Sequence, residues 1–347
     1  MSFRVLASLL LALCLVPVAA AEASARGQVA LGYSHDPAEF QDRDMAVVDA
    51  TIKEIGVTPA TWTLWSNWGS RGEGTECLPD VGRCAFPSEA AAGLMERGIT
   101  PMVWWQPVAP PGPRREEYAR YVRIIRGHHD DYITQWATDA RDHGGPIILR
   151  FAHEMNGKWY PWSLDRYDNS PERFRLAWQH IWRIFRDVDA SNVKFMWSPA
   201  REDCIGCLTE IDYEDFYPGN RFVDYLGLNA YNSARSKWRT LASTLERPIY
   251  RLRQVSQTRS FPRGKPIILG EVGSNHVGGS KAEWITDGYQ DVFRRWPRVK
   301  AIVYFDVDMT ERSRKDPDWR LAWPADGSAV RAYQELAALP RFRGSLP

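Results

Sequence analysis

Two glutamates, Glu154 and Glu271, each close an otherwise apolar run: PIILRFA (146–152) leads into His153 and Glu154, and KPIILGE (265–271) ends on Glu271. A carboxylate at the end of a run suited to burial is costly unless its surroundings use it. The first lies in RFAHEMNGKWYPW (150–162), which gathers Arg150, His153, Glu154 and Asn156 beside Trp159, Tyr160 and Trp162. Hydrogen-bonding groups followed by large aromatic plates suit a surface that binds hydroxyls and stacks on rings. The second motif, ILGEVGS (268–274), sets Glu271 between Gly270 and Gly273, which let a backbone or ligand come close. In a regular strand alternate residues share a face, so Arg150, Ala152 and Glu154 are expected to point the same way, and Arg150 to need an anionic partner. Two facing carboxyl groups can divide the work of glycosidic cleavage. At roughly 5–5.5 Å one is nucleophile and the other acid/base, whereas a gap of roughly 6.5–9.5 Å admits a water and inverts configuration. Sequence does not measure that gap, and for either motif alone a structural Arg–Glu pair or salt-bridged carboxylate is the bland alternative.

Something must hold the two motifs opposite each other. Eight strand-like runs recur along the chain: 29–33, 58–64, 100–105, 146–152, 192–197, 222–229, 265–271 and 299–305. Amphipathic helical stretches lie between them, at 42–55, 88–97, 115–141, 171–187, 238–257 and 280–295. Near-continuous apolar strands are those buried on both faces, as parallel strands are. Eight of them alternating with helices predict an α/β fold of the TIM type, a (β/α)8 barrel forming one domain. No GxGxxG turn follows the first strand, which argues against a dinucleotide-binding sheet. In such a barrel chemistry sits at the C-terminal ends of strands, and the fourth and seventh strands face each other across its mouth.

The N-terminus sets the expected compartment. Arg4, the apolar run Val5–Val16 and the small residues after Pro17 read as a secretory signal peptide, with cleavage after Ala21 or Ala25. The expected organisation is therefore a signal peptide at 1–25 and a catalytic domain at 26–347, secreted or periplasmic. Four cysteines remain in two close pairs, Cys77/Cys84 and Cys204/Cys207, which in an oxidising compartment read as local disulfides. Zinc ligation is the alternative, but only Cys204/Cys207 has CxxC spacing and nothing partners it. HEMNG lacks the second histidine of a zinc-binding HExxH, so no metal or other cofactor is expected. A net charge of +1 with 25% charged residues names no polyanionic partner, and nothing in the sequence looks like a nucleic-acid stripe. The 16 tryptophans suit sugar stacking and core filling alike.

RFAHEMNGKWYPW resembles the acid/base motif of glycoside hydrolase family 26, a member of the large clan of retaining barrel enzymes with glutamates after strands four and seven. The family is unusual in that clan for a His before the acid/base, and His153 matches it. The resemblance implies that Glu154 is the acid/base, that Glu271 in GEVG is the nucleophile, and that Arg150 fits the family's arginine three positions before the histidine. YPGNRFVDYLGLNAYN (217–232) is similar to the family's sixth-strand segment, in which the residue matching Tyr231 hydrogen-bonds the nucleophile. It implies a retaining endo-β-glycosidase, β-mannanase-like, acting on a β-1,4-mannan-type backbone. Two positions depart from the pattern. Gln106 stands where a Glu is frequent, and VYFDVD (303–308) offers Tyr304 or Phe305 where many clan members have a Trp flooring the sugar subsite.

Substrate contacts are expected from His153, Asn156, Tyr231, Arg150, Trp159, Trp162, Trp105, Trp65 and Tyr304, with Trp68 and Trp104 as further stacking candidates. Asp306 and Asp308 would meet hydroxyls or cap the next segment, and DPDWR (316–320) reads as a structural tail. The expected partner is a polysaccharide or oligosaccharide, bound by a monomer with neither nucleic acid nor membrane as partner after signal cleavage. Alternatives are an endo-β-1,3/1,4-glucanase or exopolysaccharide hydrolase using the same chemistry, or a catalytically silent polysaccharide-binding barrel.

Overall fold

Eight parallel strands close on themselves in the order β1-β8-β7-β6-β5-β4-β3-β2. They are β1 (Ala30–His35), β2 (Thr61–Asn67), β3 (Thr100–Gln106), β4 (Ile147–Phe151), β5 (Val193–Trp197), β6 (Tyr225–Asn232), β7 (Ile267–Ser274) and β8 (Val299–Asp306). The computed structural model describes residues 27–36, 44–69, 77–78, 83–108, 118–201, 207–208, 211–233, 237–255, 264–310, 317–322 and 327–347. The signal-peptide segment and Cys204 lie outside them. The chain is thus the expected (β/α)8 barrel. Two strands start three residues later than their apolar runs. Pro59 has no N–H for a ladder, so β2 begins at Thr61, and Asn220–Phe222 forms a 3₁₀ turn ahead of β6.

Around the barrel lie α1 (Met45–Ile55), α2 (Ser88–Glu96), α3 (Tyr121–Ile125), α4 (Asp130–Asp142), α5 (Pro171–Asp187), α6 (Tyr213–Phe216), α7 (Leu241–Val255), α8 (Lys281–Arg295) and α9 (Ser328–Ala338). Side-chain caps start several: Asp44 accepts from Ala46 N, Ser170 from Arg173 N ahead of Pro171, and Ser280 from Glu283 N. The long helix expected over 115–141 is broken into α3 and α4 at Gly127, whose φ of 76° ends the first segment. His129 precedes α4 instead of lying inside a helix.

Strand parity sorts the core into two shells. Met102, Trp104, Ile148, Met196, Ile268, Ala301, Val303 and Phe305 fill the barrel. Trp62, Val103, Trp105, Leu149, Leu228, Leu269, Val272 and Tyr304 face outward, against the helices. In β7 that alternation breaks. Leu228 pairs with Leu269 but Asn229 with Glu271, and on the other side Ile302 pairs with Leu269 but Tyr304 with Val272. Between Leu269 and Val272 the strand therefore carries one residue more than either neighbour, a bulge at Gly270–Glu271. Leu269 and Val272, three apart, both face outward, and Glu271 is re-aimed into the barrel.

A two-stranded antiparallel hairpin, Cys77–Leu78 with Arg83–Cys84, sets Cys77 opposite Cys84. Cys207 forms a backbone bridge with Gly157, and Leu208 N donates to Asn156 O at 2.7 Å, so this segment borders the turn after β4.

Candidate active site

The chain leaves β4 at Phe151, and Ala152 (φ 42°) and Glu154 (φ 53°) adopt left-handed backbone that side chains other than glycine rarely take. The turn is held by Ala152 N on Trp105 O (3.1 Å) and Glu154 N on Ser198 O (2.8 Å). The expectation that Arg150, Ala152 and Glu154 share one strand face is thus corrected, because the alternation stops at Phe151. Arg150 reaches the site from within the strand, and Glu154 reaches it from the turn.

Arg150 is fully buried and organises the floor. Its Nη1 meets Glu271 Oε1 at 2.5 Å, its Nη2 donates to Ser198 Oγ (2.9 Å) and Asn229 Oδ1 (2.8 Å), and the guanidinium lies 4.4 Å over the Trp104 ring. Because Asn229 Oδ1 is taken by Arg150, its Nδ2 must face the carboxylates. It donates to Glu154 Oε1 at 2.5 Å and to Glu271 Oε1 at 2.7 Å. Two oxygens on one nitrogen can be no farther apart than the sum of those distances. The nearest oxygens of the pair are thus within reach of the roughly 5–5.5 Å spacing of retaining carboxyl groups.

The two acids have different surroundings. Burial, and then the charge of Glu271, push the Glu154 carboxyl up to about 7. Glu271 is held by the Arg150 guanidinium and by the Tyr231 hydroxyl, which donates to its Oε2. Burial and the adjacent Glu271 charge raise the Tyr231 phenol well above its ordinary value, so it remains a donor. Trp159 Nε1 donates to Glu154 Oε2 at 3.0 Å.

Residues 114–246 match the family description "Glycosyl hydrolase family 26". Endoglucanase H of Acetivibrio thermocellus is 32% identical over 252 residues, 71% of this chain and 25% of that protein. Residues 114–246, Glu154 among them, are thus similar to glycosyl hydrolase family 26. A mannan endo-1,4-β-mannosidase of Bacillus subtilis is 31% identical over 105 residues, 28% of this chain and 27% of that protein. The alignments thus span about a quarter of the length of these curated relatives. Among solved structures, the family 26 β-mannanase of Bacteroides ovatus superposes with a TM-score of 0.60 at 16% identity, covering 92% of this chain and 91% of that one. A family 26 protein of a Muricauda species gives 0.61 at 16%, covering 95% and 91%. These structures share the barrel fold. Glu271 lies beyond the segment matched by the family description, and its place beside Glu154 rests on the geometry above.

The other expected contact residues divide by position. Trp159 stands at the rim, 43% exposed. Trp65 is partly buried against Trp104, ring centroids 4.2 Å apart, inside the barrel. Trp105 and Tyr304 are corrected as substrate contacts, because strand parity turns both outward. Trp105 is fully buried against Trp136 of α4 at 4.6 Å, and the Tyr304 hydroxyl donates to Trp319 O at 2.9 Å. Trp162 is also buried, stacked on Tyr160 at 4.2 Å with its indole N–H on His153 O (2.8 Å). Asn156 is spent on Ala200, accepting from its N–H at 2.7 Å and donating to its carbonyl at 3.0 Å. His153 is fully buried, 2.9 Å from the Tyr160 hydroxyl and 4.9 Å from the Trp104 ring. Burial, and then the Arg150 charge, hold its imidazole well below its ordinary value. These residues brace the turn that carries Glu154.

Three residues escaped the sequence reading. Asn229 and Tyr231 lie two apart in β6, a same-face spacing that marks Asn229 as an amide on an otherwise apolar strand. Ser198 follows the apolar NVKFMW run in the same way. Trp319, within DPDWR, packs on Tyr231 with ring centroids 4.8 Å apart. Its segment is fastened by Asp306, which accepts from Leu321 N, and by Arg320 on Asp308 (2.9 Å) and Asp318 (2.7 Å). Asp306 and Asp308 thus hold the chain, and Asp308 also caps Thr310.

Proposed function

We propose that this protein hydrolyses the backbone of a β-linked polysaccharide by double displacement, with Glu154 as acid/base and Glu271 as nucleophile. The observation that carries this reading is the single Asn229 nitrogen bonded to both carboxylates. Glu154, kept protonated towards neutral pH by burial and its charged neighbour, gives its proton to the glycosidic oxygen. Glu271, oriented by Arg150 and Tyr231, attacks the anomeric carbon as the leaving group departs. Glu154 then takes a proton from the water that hydrolyses the glycosyl-enzyme. A silent polysaccharide-binding barrel would need neither the paired carboxylates nor the arginine, amide and phenol that hold them.

The substrate we infer is a β-1,4-mannan-type backbone cut internally, in line with the mannan endo-1,4-β-mannosidases among the relatives. A β-glucan is the second reading, favoured by the longer match to a protein named endoglucanase. We further propose secretion by the 1–25 signal, a monomeric mature chain, and disulfides Cys77–Cys84 and Cys204–Cys207. A mature N-terminus at residue 22 or 26 and an absence of titratable thiols in the exported protein are the expected findings.

The functional test is a reducing-end assay of wild type and Glu271→Ala on mannan, mixed-linkage β-glucan, xylan and bacterial exopolysaccharide. Wild type is expected to release new ends from one of them and the variant from none. Binding without cleavage by both proteins would favour the silent barrel, and cleavage by the alanine variant would remove Glu271 from the nucleophile role.

A further inference from the structure

Glu154 Oε1 is occupied by Asn229, and Oε2 receives the indole N–H of Trp159 at 3.0 Å. That indole is unusual among the tryptophans of the site. Trp104 and Trp162 are fully buried, whereas Trp159 is 43% exposed, so its ring can meet a ligand while its nitrogen stays on the carboxylate. Its seat depends on Gly157. A Cβ at Gly157 would lie 2.5–2.6 Å from three carbons of the Trp159 ring, so the indole rests flat against a backbone that only glycine leaves open. Gly157 N in turn donates to Glu154 O at 2.9 Å, which ties seat, ring and carboxylate into one turn.

We propose that Trp159 is a positioning residue for the acid/base, its indole N–H aiming Glu154 and stabilising the carboxylate that forms as the proton leaves. The inference rests on the double-displacement reading above. In the first step the Glu154 proton moves to the glycosidic oxygen, the bond from that oxygen to the anomeric carbon breaks with its electron pair, and a Glu271 oxygen bonds to the carbon. Negative charge thus disappears from Glu271 and appears on Glu154, where the indole N–H already points. A hydrogen bond to an ionised acceptor is stronger than one to the neutral acid, so this contact gains strength as proton transfer proceeds. It favours the acid-catalysed step, and it favours most those leaving groups that cannot depart without a proton.

Trp159→Phe keeps a ring on Gly157 and removes only the donor. With phenyl β-glycosides of the accepted sugar its kcat/KM is expected to fall about tenfold, and with dinitrophenyl β-glycosides to stay within about twofold of wild type. The alkaline limb of its pH profile should move to higher pH, since the lost donor had favoured the ionised form. Gly157→Ala, which displaces the ring, should change both readouts in the same direction. Equal losses on both leaving groups with an unmoved limb would overturn the inference and leave Trp159 as a stacking surface. A readout independent of turnover is the ¹⁵N–¹H resonance of the Trp159 indole. It should titrate near neutral pH in the wild-type protein and lose that titration in Glu154→Gln. A resonance flat in both would sink the proposal whatever the substrate. A wild type silent on every glycan with a titrating indole would instead count against the double-displacement reading alone.

Discussion

Asn229 and Glu271 stand opposite each other across the β6–β7 ladder, at the point where β7 carries one residue more than its neighbour. The amide spans the gap between the two carboxylates because the bulge has brought Glu271 to its side of the sheet. The geometry of the acid pair is therefore a property of the ladder as much as of the two acids.

Asn229→Ala should remove a group bonded to both carboxylates and leave the Arg150 Nη2 its bond to Ser198. A drop in kcat/KM of about 10²–10³ is expected, the cost typical of a lost preorganised donor. Asn229 favours ionised Glu154, so the alkaline limb of the pH profile should rise in the variant. Steady-state kinetics across pH checks both, and a variant with wild-type kinetics would refute the bridging role.

Arg150 makes three side-chain hydrogen bonds from a planar fork while its face rests on Trp104. A lysine ammonium cannot reproduce that fork, so Arg150→Lys should cost activity even though the charge is kept. Arg150→Met leaves Glu271 buried without its ion pair and should destabilise the fold by about 3–5 kcal/mol. Urea denaturation read by tryptophan fluorescence measures the second effect and turnover the first.

The raised Glu154 carboxyl fixes a sign in pH. Activity should fall as pH rises through about 7, when the acid loses its proton. Stability follows the same group. Its proton is held more tightly in the folded than in the unfolded state, so the folded protein loses stability between about 4.5 and about 7 and regains none above. Glu154→Gln removes the buried charge and is expected to be the more stable protein above pH 7, by on the order of 1–3 kcal/mol. Thermal melts at pH 5 and pH 8 test this, the gain over wild type appearing chiefly at the higher pH.

Trp319 is 6% exposed and forms one wall of Tyr231. Trp319→Ala should cost about 3–5 kcal/mol of stability as a large-to-small change. It should also lower kcat, because the phenol that holds Glu271 loses the ring beside it. Trp319→Phe keeps an aromatic wall and should recover most of the turnover. Equal turnover in both variants would separate the DPDWR segment from the site.

The primary structure by itself determined the barrel, because eight doubly buried strands alternating with amphipathic helices leave few other ways to bury both faces of every strand. It also marked the chemical segments, since charged and amide groups at the ends of apolar runs have no inexpensive structural use. Arg150 was legible as a buried cation in need of an anion, and the structure pairs it with Glu271. Three things were decided only in three dimensions. A strand apolar on both faces hides its parity, so Trp104 and Trp105 look alike in sequence although one lies inside the barrel and the other under a helix. The left-handed turn at Ala152 and Glu154 breaks an alternation that the letters continue. Counting along β7 from Leu269 puts Glu271 on the outer face, and only pairing with β6 and β8 reveals the extra residue that turns it inward. A bulge is a mismatch between neighbouring strands, and a single strand read alone has no neighbour to disagree with.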